Sequence, residues 1–188
     1  MFAVHARYRG RNTRRADYVE RAAEALATLP GVSEFDILGV EDICANVADA
    51  TAVTNLVMAL LADGEWAVGI GVHPGPQEFG VRRIATAALR NSARAGVVKV
   101  RVQVPKATTE ADDISSTFAL LAHVLHKRTA EGREATSLVR SGLDQNEAAA
   151  ELGISKQAMS QRLQAAGWAA EQAGWQLAVN LLQRANPA

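Results

Sequence analysis

Aromatic side chains are scarce, with four Phe, three Trp and two Tyr among 188 residues. The core must therefore be built from aliphatic groups, and the heavy use of alanine favours closely packed helices. One cysteine, Cys44, is present. It excludes an internal disulfide and a cysteine-based zinc site, agrees with a reducing cytoplasm, and is expected to be a small buried hydrophobe. No stretch approaches the ~20 uninterrupted apolar residues of a membrane span, so no membrane partner is expected. The segment Met1 to Arg15 interrupts its apolar residues with His5 and Arg7 and then a cluster of arginines, unlike a signal peptide. The expected location is the cytoplasm, in association with the nucleoid. Net charge is also absent, since 20 Lys and Arg balance 20 Asp and Glu.

That balance conceals a division along the chain. Arg7, Arg9, Arg11, Arg14, Arg15 and Arg21 crowd the beginning, and Arg82, Arg83, Arg90, Arg94, Lys99, Arg101 and Lys106 crowd the middle. Between Ala22 and Val81 there is no Lys or Arg, whereas Glu24, Glu34, Asp36, Glu41, Asp42, Asp49, Asp63, Glu65 and Glu78 are present. Such blocks can form a phosphate-binding face, can meet head to tail between subunits, or can be a solvated mixed surface.

Hydrophobic periodicity predicts a strand over Phe2–Tyr8, then a helix from Arg14 to Leu29 capped by Asn12 or Thr13 and stopped by Pro30 and Gly31. Strands over Phe35–Leu38 and Asp42–Val47 flank Gly39 as a hairpin. A helix over Ala50–Ala62, a buried strand over Trp66–Val72, a loop at His73–Pro76, a helix over Val81–Ala95 and a strand over Val97–Val104 follow. This order predicts an α+β sandwich with helices over one sheet in residues 1–106. Pro105 to Asp112 is turn-forming. Residues 107–128 are expected to be a linker and connecting helix, with an apolar face of Phe118, Leu121 and Leu125, and residues 129–188 an all-α domain. Its last helix, Ala165 to Arg184, sets Trp168, Trp175 and Leu182 seven apart; this stripe either closes the domain's own core or joins a dimer interface.

The segment Gln145–Gln164 reads QNEAAAELGISKQAMSQRLQ, the pattern of a helix-turn-helix. Ala149 is small where two helices must cross closely, and Gly153 permits a sharp turn with positive φ. Ile154, Met159 and Leu163 are the buried contacts. Asp144 with Glu147 forms a capping box and Ser155 caps the second helix. Glu134–Ser141 is a supporting helix ending at Gly142, and Leu143 plugs the gap. The second helix then presents Lys156, Gln157, Ser160, Gln161 and Gln164 outward, with Ser155 at its start and Arg162 on its flank. These seven are the candidate DNA-binding residues. Gln bonds adenine edges bidentately, Ser reaches bases or phosphates, and Lys or Arg reaches phosphate or guanine. The module is not basic overall, so binding requires a dimer on two half-sites or help from the N-terminal arginines.

From Leu121 onward the chain resembles SatD-like and MarR-annotated regulators of actinobacteria, and it is also similar to the DNA-contacting fourth region of sigma factors. Over roughly the first hundred residues, GVEDICANVAD and WAVGIGV resemble the SatD-type domain, whose layout is ferredoxin-like and similar to nucleotide cyclases. In a cyclase-type site one Asp ends the first strand and another sits in the hairpin, and together they hold the metals. Here the first strand reads FAVHARYRGR and offers His and Arg instead, leaving Asp42 and Glu41 without a metal-binding partner. No catalytic residue, metal site or cofactor is expected.

Gly69, Gly71, Gly75 and Gly80 fit neither phosphate-loop nor dinucleotide spacing. His123 and His126 lie three apart on a helix but lack a second ligand pair. His73 is a loop residue beside Pro74. The sequence thus predicts a homodimeric, sequence-specific DNA-binding regulator of transcription, whose N-terminal domain dimerises or binds a protein or small molecule. The alternatives are an adaptor whose helix-turn-helix contacts protein and, third, a small-molecule enzyme built on the N-terminal domain.

Overall fold

The computed structural model describes residues 1–75, 78–89, 93–103 and 108–187. Its elements are β1 (Phe2–Tyr8), α1 (Arg15–Ala27), β2 (Asp36–Ile37), β3 (Asp42–Val47), α2 (Ala50–Asp63), β4 (Trp66–Val72), α3 (Glu78–Ala88), β5 (Val98–Val102) and five helices. Those are α4 (Thr108–His126), α5 (Ala130–Arg140), α6 (Gln145–Glu151), α7 (Lys156–Ala165) and α8 (Trp168–Ala185). The protein is α+β, with its strands in the N-terminal part and helices after them. The five strands form one mixed sheet in the order β2-β3-β1-β4-β5. Neighbours are antiparallel except for β4 and β5, which α3 connects in parallel.

Alternation along β1 decides what each face carries. Phe2, Val4, Ala6 and Tyr8 join Trp66, Val68, Ile70 and Val72 of β4 in the larger core, under Val53, Leu56, Val57 and Leu60 of α2. Tyr8, Tyr18 and Trp66 cluster there, ring centroids 4.8 to 6.3 Å apart. Asp63 at the end of α2 accepts from the Tyr18 hydroxyl and from Trp66 Nε1 at 2.7 Å. On the other face, α3 lies directly against β4. Gly69 and Gly71 allow this: a Cβ at Gly71 would run into the carbonyl oxygen of Val81 and the amide of Ala85.

The segment expected to be a connector supplies Ile114, Phe118, Leu121 and Leu125 to the larger core, where Ala178, Val179, Leu182 and Ala185 of α8 meet them. A smaller core joins Ala135 of α5, Ala148 and Ala149 of α6, and Met159 and Leu163 of α7, with Leu138, Leu143, Ile154 and Trp168 alongside. The Trp168–Trp175–Leu182 stripe therefore runs from one core to the other, with Trp175 packed against the larger core and Leu182 inside it.

Several expected boundaries move. The α1 N-cap is Arg14, with no side-chain cap; Asn12, two residues earlier, accepts the Arg14 N–H. The helix expected over Val81–Ala95 ends at Ala88, and further on Gly96 (φ +79°) donates to the Trp66 carbonyl as the chain approaches β5. Residues 90–92 of that expectation, residue 104 of the expected strand and 105–107 of the expected hinge lie outside the described residues. Residues 108–112, expected as hinge, are the first turns of α4, with Ala111 buried. Gly167 (φ +68°) separates α7 from α8, which were expected to meet at Ala165.

The two cores are joined by buried charge. Arg128 and Glu171, whose side chains are each 3% exposed, form an ion pair. Arg128 Nε also donates to the Ala166 carbonyl at 2.8 Å, and Arg140 Nη2 donates to the second Glu171 oxygen at 2.6 Å. Removing one partner strands a buried charge. Glu171→Ala should cost about 3–5 kcal/mol of stability in urea denaturation; a loss under about 1 kcal/mol, the value of an exposed pair, would contradict this role. Gly71→Ala should destabilise by about 1–3 kcal/mol, the overpacking range, through displacement of α3, read by the same assay.

Candidate nucleic-acid interface

The turn and caps expected for the helical pair are present. Asp144 Oδ1 accepts from the backbone of Asn146 at 2.6 Å and Glu147 at 2.9 Å, and the Glu147 carboxylate accepts the Asp144 N–H at 2.8 Å. Gly153 takes φ +63°, a conformation that costs glycine little. The chain then reverses, with Ile154 N–H donating to the Ala149 carbonyl, and Ser155 Oγ caps α7 by accepting from Ala158 at 3.1 Å. Upstream, Thr129 caps α5, which begins at Ala130 rather than at Glu134.

Met159 and Leu163 are buried on the inner side of α7. At ~100° per residue, Lys156, Gln157, Ser160, Gln161 and Gln164 fall within an arc of about 140°, clear of the buried or half-buried Ala158, Met159, Arg162 and Leu163, and all five are exposed. Ser155 sits exposed at the head of this face, its hydroxyl used in the cap. Arg162 is on another side of the helix, half-buried, with Nη1 4.0 Å from Glu134 of α5. Lys156 is thus the one cation on the α7 face, a largely amide and hydroxyl surface suited to donor–acceptor matching rather than to charge neutralisation.

The second block of candidates, on the sheet face beneath α3, is internally satisfied. His5 is 2% exposed, with Nδ1 2.9 Å from Thr86 Oγ1 and Nε2 2.8 Å from Asp42 Oδ1. Burial pushes the His5 pKa down, against the pull of Asp42. Neutral His5 then donates from Nε2 to Asp42 and accepts the Thr86 hydroxyl at Nδ1. Burial alone would raise Asp42, but the bonds from His5 and from Arg7 Nε, 2.6 Å away, hold it below the usual range. Glu41 pairs with Arg9 and Arg15, and Arg82 with Asp36. His5 and Arg7 of β1 therefore both engage Asp42. Cys44 is buried, as expected, and burial lifts its thiol pKa to about 11. Among the described residues, no group of three or more His, Cys, Asp and Glu side chains is placed to hold a metal. No helix among them is long and apolar enough to cross a membrane.

Sequence reasoning missed Arg128, Arg140 and Glu171, which position the pair. The ion-pair partners lie 43 residues apart, and no local pattern marks a charge that will be buried.

The Asp144 cap makes a pH prediction. The backbone N–H groups of Glu147 and Asn146 hold its carboxyl below the ordinary value of 3.8, with Lys156 helping. A depressed carboxyl pKa stabilises the fold above that value and ceases to do so as pH falls through the lower folded value. Asp144→Asn should therefore melt below wild type at pH 7, with the gap closing as pH falls below 3.8. A gap independent of pH would contradict the charged cap. No family model, no curated protein and no solved structure matches the chain, and its function is therefore read from the geometry of its own residues.

Proposed function

We propose that this chain is a sequence-specific DNA-binding regulator of transcription, with α6 and α7 as a helix-turn-helix whose second helix lies in the major groove. The observation that carries this reading is the exposed face of α7, where Lys156, Gln157, Ser160, Gln161 and Gln164 stand together on a helix fixed by two caps and a glycine turn. Three glutamines supply bidentate amides for adenine edges, and Lys156 reaches guanine or phosphate. Ser155 and Arg162 stand at the margins as phosphate contacts, Arg162 after leaving Glu134.

The protein acts in the cytoplasm, on the nucleoid, as a homodimer without enzymatic activity or cofactor. Dimerisation supplies the second half-site that a module with one cation on its reading face needs. The exposed Leu120 of α4 and Leu177 of α8 are apolar side chains suited to such pairing. The strand order β2-β3-β1-β4 supports a ferredoxin-like reading of the N-terminal unit, in a sensing or partner-binding role.

One observation favours the adaptor reading instead. Arg7, Arg9 and Arg15 are spent on Asp42 and Glu41, and Arg128 on Glu171, so these arginines are not free to contact phosphate. A helix face of amides and hydroxyls can also meet protein.

The experiment is binding of genomic DNA fragments across a salt series, with Lys156→Ala, Gln157→Ala, Gln161→Ala as a triple variant. Wild type should select particular fragments. The variant should lose at least about tenfold in that selection, since each bidentate base contact carries roughly 1–3 kcal/mol of discrimination, while keeping its melting temperature. Equal, indiscriminate binding by both proteins, or none, would overturn the regulator reading in favour of the adaptor.

A further inference from the structure

A groove of about 580 Å³ runs between α2, α5 and α8, where the two cores meet. Its size falls within the ~300–1,000 Å³ range of small-molecule sites. Met58 and Val139 give it aliphatic walls, and the half-buried rings of Trp168 and Trp175 line it together. Trp175 is fixed in place, since its indole N–H donates to Asn55 Oδ1 at 2.8 Å. Two of the chain's three tryptophans thus line a single open groove.

The charge at its end decides what would enter. Glu171 is the only acidic residue of the lining, and both of its oxygens are taken, one by Arg128 and one by Arg140. Two guanidiniums against one carboxylate leave one net positive charge. Arg140 is 48% exposed and lies over the Trp168 ring, 5.6 Å from its centroid. Only its Nη2 is used on Glu171, and a guanidinium has further N–H groups with which to meet a carboxylate. Cations, which tryptophan faces otherwise attract, are opposed by that net charge.

We propose that this groove is a binding site for a small aromatic carboxylate, with the ring against Trp168 and Trp175 and the carboxylate on Arg140. The site is a property of the junction between the cores and does not depend on whether α7 reads DNA. Aromatic stacking selects a planar ring over an aliphatic chain, and Arg140 selects the anion over its neutral analogue.

The test follows the indole N–H resonances of the three tryptophans in the full-length protein, assigned by single Trp→Phe variants. Benzoate and its neutral analogue benzamide are the probes. Trp66, packed against Tyr8 and Tyr18, is the internal reference. Benzoate at millimolar concentration should shift the Trp168 and Trp175 resonances saturably and leave Trp66 in place, and benzamide should shift none of them. Arg140→Gln should weaken benzoate by about tenfold or more, the value of a charged hydrogen bond, with an unchanged Trp66 resonance. Arg140→Lys should fall between the two. The proposal is overturned if benzoate moves neither groove resonance, if benzamide moves them equally, or if Arg140→Gln binds benzoate like wild type.

Discussion

Arg128 follows the last turn of α4 and buries its guanidinium where α5, α7 and α8 come together. It reaches the carbonyl of Ala166, just after α7, and the carboxylate of Glu171 in the first turn of α8. Thr136 of α5 lies beside it. A charge taken out of water in this way is tolerated only when its partners are fixed, because the cost of desolvation is recovered only in good geometry. The requirement runs in both directions: the helices must meet at this point for the charge to be satisfied, and the charge holds them there. The placement of α7 beside α5 and α8 follows from it, and so does the groove beside Trp168 and Trp175.

Elsewhere the same economy of charge shapes what the surface can do. The arginines at the start of the chain and the carboxylates that follow look like two opposed blocks in sequence, but β1 lies antiparallel beside β3. Arg7 therefore faces Asp42, and Arg9 lies within reach of Glu41. Complementary charges are drawn together across the sheet, and Arg7, Arg9 and Arg15 of the first basic block are paired with carboxylates. The exposed side of α7 is by contrast amide-rich, a surface suited to hydrogen-bond geometry more than to charge.

The parts of the structure legible in the sequence are those whose physics is local. The capping box at Asp144 and Glu147, the cap at Ser155, the turn at Gly153 and the burial of Met159 and Leu163 each depend on residues within a few positions of one another. Strand positions followed equally well from short apolar runs, as in Phe2–Tyr8 and Trp66–Val72. Arg162 shows the limit. Its spacing sets it apart from the face of Lys156 and Ser160, but only packing places Glu134 beside it.

The sequence by itself determined the elements, the caps and the outward face of α7, because side-chain periodicity and backbone capping act over one or two turns. Tertiary structure decided how the chain enters β5, where the Gly96 N–H meets the Trp66 carbonyl and β5 pairs with β4. It also decided that α4 and α8 belong to the sheet's core, and which charges are consumed in pairs. Those outcomes depend on groups tens of residues apart being brought within 3 Å, as Arg128 Nε and the Ala166 carbonyl are at 2.8 Å, and no short-range pattern encodes which distant partner a buried charge will find.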